Sequence, residues 1–413
     1  MTQSRRYENA LVAMLFFTWG TVFLDRMAQL YLAPYMIPDL RMTNEQVGFL
    51  ASVVALAWAV STLVFGAVSD RFGRRTVLIP AVFAFSLLSW LSGLVQTYEQ
   101  MLVVRGLLGF AEGPCFSVIM ATMEESSTSS RRGRNIGVVI SAASLIGSAV
   151  APVLTTQVAA HYGWRWAFFV AGVPGLILGL LILFYVKESK GRAAGEMMHA
   201  QRPAGLADYF SVLRYRNMLL CCIAGAANLT WLFLLSVFGP LFITQVAHQA
   251  PTTAGFLLGA TGFGSFFAGI IFPALSDRTG RKPMLLFMSA VSALIPLALL
   301  VPALYQHLWL LAAIMFLFNM GQGVTALALV LVPTETVPPR LAATAIGLAT
   351  MVAEVDGATV APAIGGTLAQ HYGLALPLML AAGGMGAVFI VTLFLSETVA
   401  KPAAYARTSR RAA

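Results

Sequence analysis

Apolar residues in this chain gather into twelve long runs separated by short polar breaks. The runs fall near residues 10–36, 46–67, 76–95, 98–122, 134–158 and 166–186. After a polar stretch they resume near 215–246, 252–275, 283–303, 308–332, 341–368 and 374–396. Each is long enough to cross a hydrocarbon layer of roughly 30 Å, which takes about 20 helical residues. Several are rich in Gly and Pro, which membrane helices tolerate better than soluble ones. The expected fold is an all-α membrane protein with twelve transmembrane helices.

Composition agrees with that pattern. Of the chain, 58% is apolar and 10% charged, where soluble domains carry roughly a quarter charged residues. A soluble fold with so little charge would expose large apolar patches, so lipid is the natural solvent. The net charge of +9 raises nucleic acid as a partner, but the basic residues are not clustered with exposed aromatics as such a face requires. Cys115, Cys221 and Cys222 all lie in apolar stretches and give neither a disulfide framework nor metal spacing. Arg5 and Arg6 precede the first run, which continues past Trp19 without a small-residue cleavage site. It reads as a first helix rather than a removed signal peptide.

Basic residues set the expected orientation. With alternate loops assigned to one side, 22 of the 26 Lys and Arg fall on the side of the termini and the central stretch. Arg41 and Arg165 are on the opposite side, and Arg26 and Arg105 lie within spans. That asymmetry places both termini in the cytoplasm, with the bacterial inner membrane as the expected location.

The chain also repeats itself. Gly66-Ala-Val-Ser-Asp70-Arg71-Phe-Gly73-Arg74-Arg75 follows the second span, and Ser-Asp277-Arg278-Thr-Gly280-Arg281-Lys282 follows the eighth. Residues 136–163 align without gaps to 346–373, identical at 11 of 28 positions. Such a parallel duplication is expected of one transporter architecture. The expected organisation is a six-helix bundle over 1–186, a cytoplasmic linker over 187–212 and a second six-helix bundle with a short tail over 213–413, the halves pseudo-symmetric. The two loops resemble the signature of the major facilitator superfamily, and the resemblance covers the whole chain. It implies a cytoplasmic latch built on Gly66, Asp70, Arg71, Gly73 and Arg74 and on Asp277, Arg278, Gly280 and Arg281. There the Asp70 carboxylate would accept hydrogen bonds from a helix N-terminus in the other half and stabilise the outward-open state. The alternative is that the arginines of these loops serve topology alone.

Six charged residues interrupt the spans: Asp25 and Arg26 in the first, Arg105 and Glu112 in the fourth, Glu354 and Asp356 in the eleventh. Each costs roughly 2.5–3.5 kcal/mol to insert even on the milder scale. They must be paired, face water or change protonation state. Arg105 and Glu112, two turns apart, share a helix face at a separation of about 10 Å, too far for direct contact. An economical arrangement has spans one and four lining one cavity, each acid partnering an arginine of the other helix. When charged, an acid would hold its arginine; when protonated, it would free that arginine for an anion, and burial favours the neutral form of a carboxyl group. A permanent structural ion-pair network is the other arrangement these residues allow.

Asp25-Arg26 in span one with Arg105-x6-Glu112 in span four is similar to the anion:cation symporter branch of that superfamily, and Gly163-Trp164-Arg165 fits the same group. Members include proton-coupled sugar-acid transporters and vesicular glutamate and sialic acid carriers. The resemblance implies Asp25 and Glu112 as proton sites, Arg26 and Arg105 as substrate or coupling residues, and protons with a small organic anion as cargo. Sugar-acid members usually carry tyrosines where Phe23 and Trp58 stand here. Fewer hydroxyl partners favour a less hydroxylated carboxylate, aliphatic or aromatic. Tyr31, Tyr35, Asn228, Asn319 and Gln322 could supply polar contacts or could serve only as helix–helix glue.

Span eleven departs from its repeat partner, since Glu354 aligns with Ser144 and Asp356 with Ile146. Counted from Arg340, Glu354 lies about 21 Å deep and Asp356 about 24 Å. Being about 200° apart on a helix, they cannot face one cavity together, and Glu354 is the expected inward one, as a third proton site or a structural contact. His161, His248, His307 and His371 fall at predicted span ends and His199 in the linker, so no histidine relay is expected. No phosphate-binding Gly-rich loop is present to support ATP hydrolysis. The expectation is a monomeric proton-coupled importer of a carboxylate, not an enzyme, with no cofactor or metal and no nucleic-acid partner. The competing expectation is a proton-coupled multidrug exporter of the same fold, against which Arg26 and Arg105 speak.

Overall fold

The computed structural model describes residues 5–128, 130–186 and 211–399; most of the expected linker over 187–212 lies outside the described residues. Twelve helices are long and apolar enough to cross a membrane: α1 (Arg5–Leu40), α2 (Asn44–Phe72), α3 (Arg74–Ser92), α4 (Tyr98–Ser126), α5 (Arg132–Tyr162), α6 (Trp164–Tyr185), α7 (Arg216–Val246), α8 (Pro251–Thr279), α9 (Arg281–Leu299), α10 (Leu308–Thr336), α11 (Thr344–Tyr372) and α12 (Ala375–Leu393). They match the twelve apolar runs. The largest boundary difference is in α1, which extends past the run at both ends.

Local chemistry explains where helices start and stop. Thr43 and Gln46 form a reciprocal capping box at the start of α2, satisfying backbone donors that a helix N-terminus leaves open. Gly73 and Gly280 join α2 to α3 and α8 to α9 with φ of 98° and 101°, a region glycine enters at no steric cost. The equivalent placement of these two glycines is the repeat made structural.

Four helices contain a wider π-helical stretch: Ala143–Val150 in α5, Phe242–Val246 in α7, Ala326–Leu331 in α10 and Glu354–Val360 in α11. Three end two residues before a proline, at Pro152, Pro333 and Pro362. A proline ring lacks an N–H and crowds the carbonyl four residues back, and a π turn relieves that clash. Span α10 is broken outright between Phe318 and Gly321. The Ser292 hydroxyl mends the break, donating to the Phe318 carbonyl at 3.1 Å and accepting from the Met320 amide at 3.1 Å.

The first six and last six helices meet at the end opposite the basic loops. There the Gln370 side chain accepts from the Asn44 amide at 3.1 Å and Thr367 donates to Glu45 at 3.2 Å. Backbones approach closely through glycine: a Cβ on Gly48 would lie 2.2 Å from the Pro362 carbonyl oxygen, and one on Gly262 2.2 Å from that of Ser148. Small residues permit such contact between membrane helices. Toward the basic end, the segments Arg132–Ala142 and Ala342–Ala353 pack mainly against helices of their own half. The bundle is closed at one end and parted at the other.

Candidate functional site

Helices α1, α3 and α4 bring the first pair together. Arg105 Nη1 lies 3.5 Å from Asp25 Oδ1 and donates to the Asp25 backbone carbonyl at 3.1 Å. Both side chains are 0% exposed. The Ser89 hydroxyl stands 2.7 Å from Asp25 Oδ1 and 3.0 Å from the Phe168 carbonyl, and the Arg105 guanidinium lies 4.3 Å from the centre of the Phe168 ring. Ser89 and Phe168 were not singled out in the sequence. A signal for Ser89 exists in the spacing Ser86-x-x-Ser89-x-x-Ser92, three buried serines on one side of an apolar span.

Arg26 is placed differently from the cross-pairing expected with Glu112. Its carboxylate partner is Glu354, with Arg26 Nη2 3.7 Å from Glu354 Oε2. The closed end brings the π-helical stretch of α11 against α2, so an acid from the second half reaches Arg26. Three rings surround the guanidinium: Trp58 at 4.8 Å, Phe23 at 5.8 Å and Phe233 at 5.8 Å. Glu112 is 0% exposed and neither of its oxygens has a hydrogen-bond partner among the described residues, although Asp25, Arg26 and Arg105 all stand within electrostatic reach. Asp25 Oδ2, Arg26 Nη2, Arg105 Nε and Nη2, and Glu354 Oε2 are buried too and without a hydrogen bond among the described residues. A cluster of two guanidiniums and three carboxyl groups is thus only half satisfied, whereas buried polar groups are as a rule hydrogen-bonded.

The remaining candidates scatter. Trp58 joins the cluster, its indole N–H buried without a partner. Tyr31 is buried in the α1 core, and Tyr35 donates to the Thr156 carbonyl at 3.3 Å. Asn228 donates to Thr325 at 2.8 Å while its own oxygen lacks a partner. Asn319 accepts from the Gly321 amide within the α10 break, and Gln322 packs beside Gly269. Asp356, exposed, accepts from Thr230 at 3.3 Å and does not share the Glu354 environment. A recess beside Arg26, lined by Met27, Gln29, Leu30, Ala51, Val54 and Phe233, has ≈ 10 Å³ of free volume, about one water's worth.

Arg74 and Arg281 of the signature loops make contacts within their own halves. Arg74 donates to Ser69 at 2.6 Å and to Glu125 at 3.2 Å. Arg281 pairs with Asp277 and Glu335, each at 2.7 Å. The Gly66 and Asp70 side-chain positions and their proposed latch fall outside the described residues. The second loop has a partner the sequence did not announce: Glu397 accepts from the Arg281 and Lys282 amides at 2.8 and 3.1 Å. Partial burial works to raise the Glu397 pKa, but these backbone donors outweigh it and hold the group below its usual value. A lowered pKa in the folded chain makes the clasp fully effective above the ordinary carboxylate range, and it is lost as pH falls through the lowered value. Amide-exchange protection at Arg281 and Lys282 should therefore persist through the ordinary carboxylate range and fall only at pH below it, and Glu397→Gln should remove that dependence.

Comparison with known proteins places this geometry. Residues 15–355 match the sequence profile of the Major Facilitator Superfamily. A probable 4-methylmuconolactone transporter of Cupriavidus pinatubonensis is 29% identical over 363 residues, covering 86% of this chain and 83% of that protein. A hexuronate transporter of Bacillus subtilis is 25% identical, covering 95% and 96%. The crystal structure of the nucleoside transporter NupG superposes with a TM-score of 0.74 at 15% identity, covering 93% of this chain and 98% of that one, a likeness of fold.

Proposed function

This chain belongs to the Major Facilitator Superfamily, and from that premise we propose that it is a proton-coupled symporter importing a small carboxylate by alternating access. It is a multi-pass membrane transporter and not an enzyme. The observation that carries the proposal is the under-paired charge cluster. Its two ion pairs, at 3.5 and 3.7 Å, are well beyond the roughly 2.7–2.9 Å of a tight charge-assisted contact. Arg26 and Arg105 keep buried N–H groups without a hydrogen bond among the described residues, and a substrate carboxylate supplies what they lack. Three acids facing two arginines leave the empty cluster one negative charge in excess. Protons on Glu112 and Glu354 offset that excess and the charge of the incoming anion. Relatives named for a muconolactone and for hexuronates fit organic-anion cargo.

The basic end is then cytoplasmic, both termini with it, in the inner membrane of a bacterium. The closed end faces outward and the parted end faces the cytoplasm. Halves 1–186 and 213–413 rock about the cluster, and the Arg26–Glu354 pair spans both. The test is uptake of labelled carboxylates into proteoliposomes. An imposed inside-alkaline gradient should drive accumulation of an organic anion, and Arg26→Ala should prevent it. Transport indifferent to that gradient would remove proton coupling, and uptake of cationic drugs in place of acids would return the exporter reading.

A further inference from the structure

The surroundings of Arg26 specify more than a negative charge. Its guanidinium lies over Trp58 from the first half, 4.8 Å from the ring centre, with Phe233 from the second half at 5.8 Å and Phe23 at 5.8 Å. A guanidinium covered on its faces can offer N–H donors only around its edge, and its edge matches a carboxylate bidentately in one plane. Arg26 Nη2 is such a donor, 3.7 Å from Glu354 Oε2 and without a hydrogen bond among the described residues. The aromatic wall continues beyond it. Trp19 stacks edge-on to Phe23 at 4.9 Å, and Phe116 stands 5.2 Å from Trp19 and 6.0 Å from Trp58.

Chain direction puts this wall on the approach path. Helix α1 runs from the basic end, so Phe23 and Trp19 lie on the parted side of Arg26. Helices α2 and α4 run toward the basic end, so Trp58 lies beyond Val54 and Phe116 beyond Glu112 on the same side. A ligand entering from the parted end meets aromatic faces before it meets the charge. On that side stand the Trp58 indole N–H, on a side chain 7% exposed, and that of Trp19, 3% exposed, both without a hydrogen-bond partner among the described residues. Indole donates only, so each calls for an acceptor oxygen on the ligand.

Resting on the carboxylate reading above, we propose that the site selects planar, unsaturated carboxylates bearing a second acceptor oxygen, and that Trp58 sets this preference. A flat conjugated body carries on in the plane of its carboxylate and lies face-on against Trp58. A saturated chain puckers away from the ring. A sugar acid brings a row of hydroxyls whose hydrogen bonds the wall cannot replace, a cost that polar groups buried without partners always carry.

Titration calorimetry of the purified full-length protein with matched acids tests this. cis,cis-Muconate and adipate share six carbons and two carboxylates and differ in unsaturation, and gluconate supplies the hydroxylated case. Muconate should bind several-fold to about tenfold tighter than adipate, the range of a specific ring contact, and gluconate most weakly. Trp58→Leu should bring the muconate-to-adipate ratio toward one, while Trp58→Tyr, which keeps a ring and a donor, should retain most of it. Equal binding of muconate and adipate by the unaltered protein, or tighter binding of gluconate, overturns this inference and leaves the carboxylate reading standing. Binding of none of the acids overturns both.

Discussion

Arg105→Met is expected to abolish carboxylate uptake and to lower the melting temperature of the purified protein, the largest single-residue effect in the molecule. Asp25 and Arg105 are both fully buried, and removing one partner of such a pair costs about 3–5 kcal/mol because the other charge is left without compensation. Arg105 also tethers the α1 backbone through the Asp25 carbonyl and lies against Phe168, contacts that methionine replaces only in part. Adding Asp25→Asn to Arg105→Met removes the stranded charge and should recover most of the lost stability. Uptake should stay absent, since the substrate still lacks its guanidinium. Arg105→Lys keeps a charge but not the fork that reaches both the carboxylate and the carbonyl of Asp25. Its apparent affinity should fall about 10- to 150-fold, the worth of one lost hydrogen bond to a charged group. Near-normal uptake by Arg105→Met would show that Arg105 serves the fold alone.

How much of this was legible in the sequence varies with the physical distance involved. Spans and repeat were legible because lipid imposes the same apolar length on every helix, and because Gly73 and Gly280 stand at one loop in duplicate. The Asp25–Arg105 contact was legible too, since two opposite charges on neighbouring spans have few other ways to be accommodated. The Arg26–Glu354 contact was not. It depends on which end of the bundle is closed, a property of the conformation rather than of any segment. Glu354 also sits at the start of a π turn, and helix-wheel angles assume a regular α-helix. The sequence did carry the cause, a proline two residues beyond each of three π segments, but Gly and Pro in the spans read only as residues that membrane helices tolerate. Glu397 was invisible for another reason: its partners are backbone amides, and no residue type announces those.

The sharpest consequence of the cluster concerns Glu112. Glu112→Gln should end accumulation driven by an inside-alkaline gradient, reducing it at least about tenfold, while exchange of labelled for unlabelled substrate at equal pH continues. A carboxylate with both oxygens buried and unbonded is costly in the charged form, and glutamine reproduces its protonated shape without the ability to release the proton. The loaded cluster should thus form and shuttle, but the empty, deprotonated return step should be lost. Substrate affinity should also cease to depend on pH through this group. Glu354→Gln makes the contrasting case. It frees Arg26 from the Glu354 carboxylate, so the anion no longer competes with that acid, and substrate should bind more tightly at neutral and higher pH. Two outcomes would sink the assignment: gradient-driven accumulation that survives Glu112→Gln, or exchange that disappears along with it in a protein that still binds substrate. The first would leave the proton to Asp25 and Glu354, and the second would make Glu112 a contact for the substrate itself.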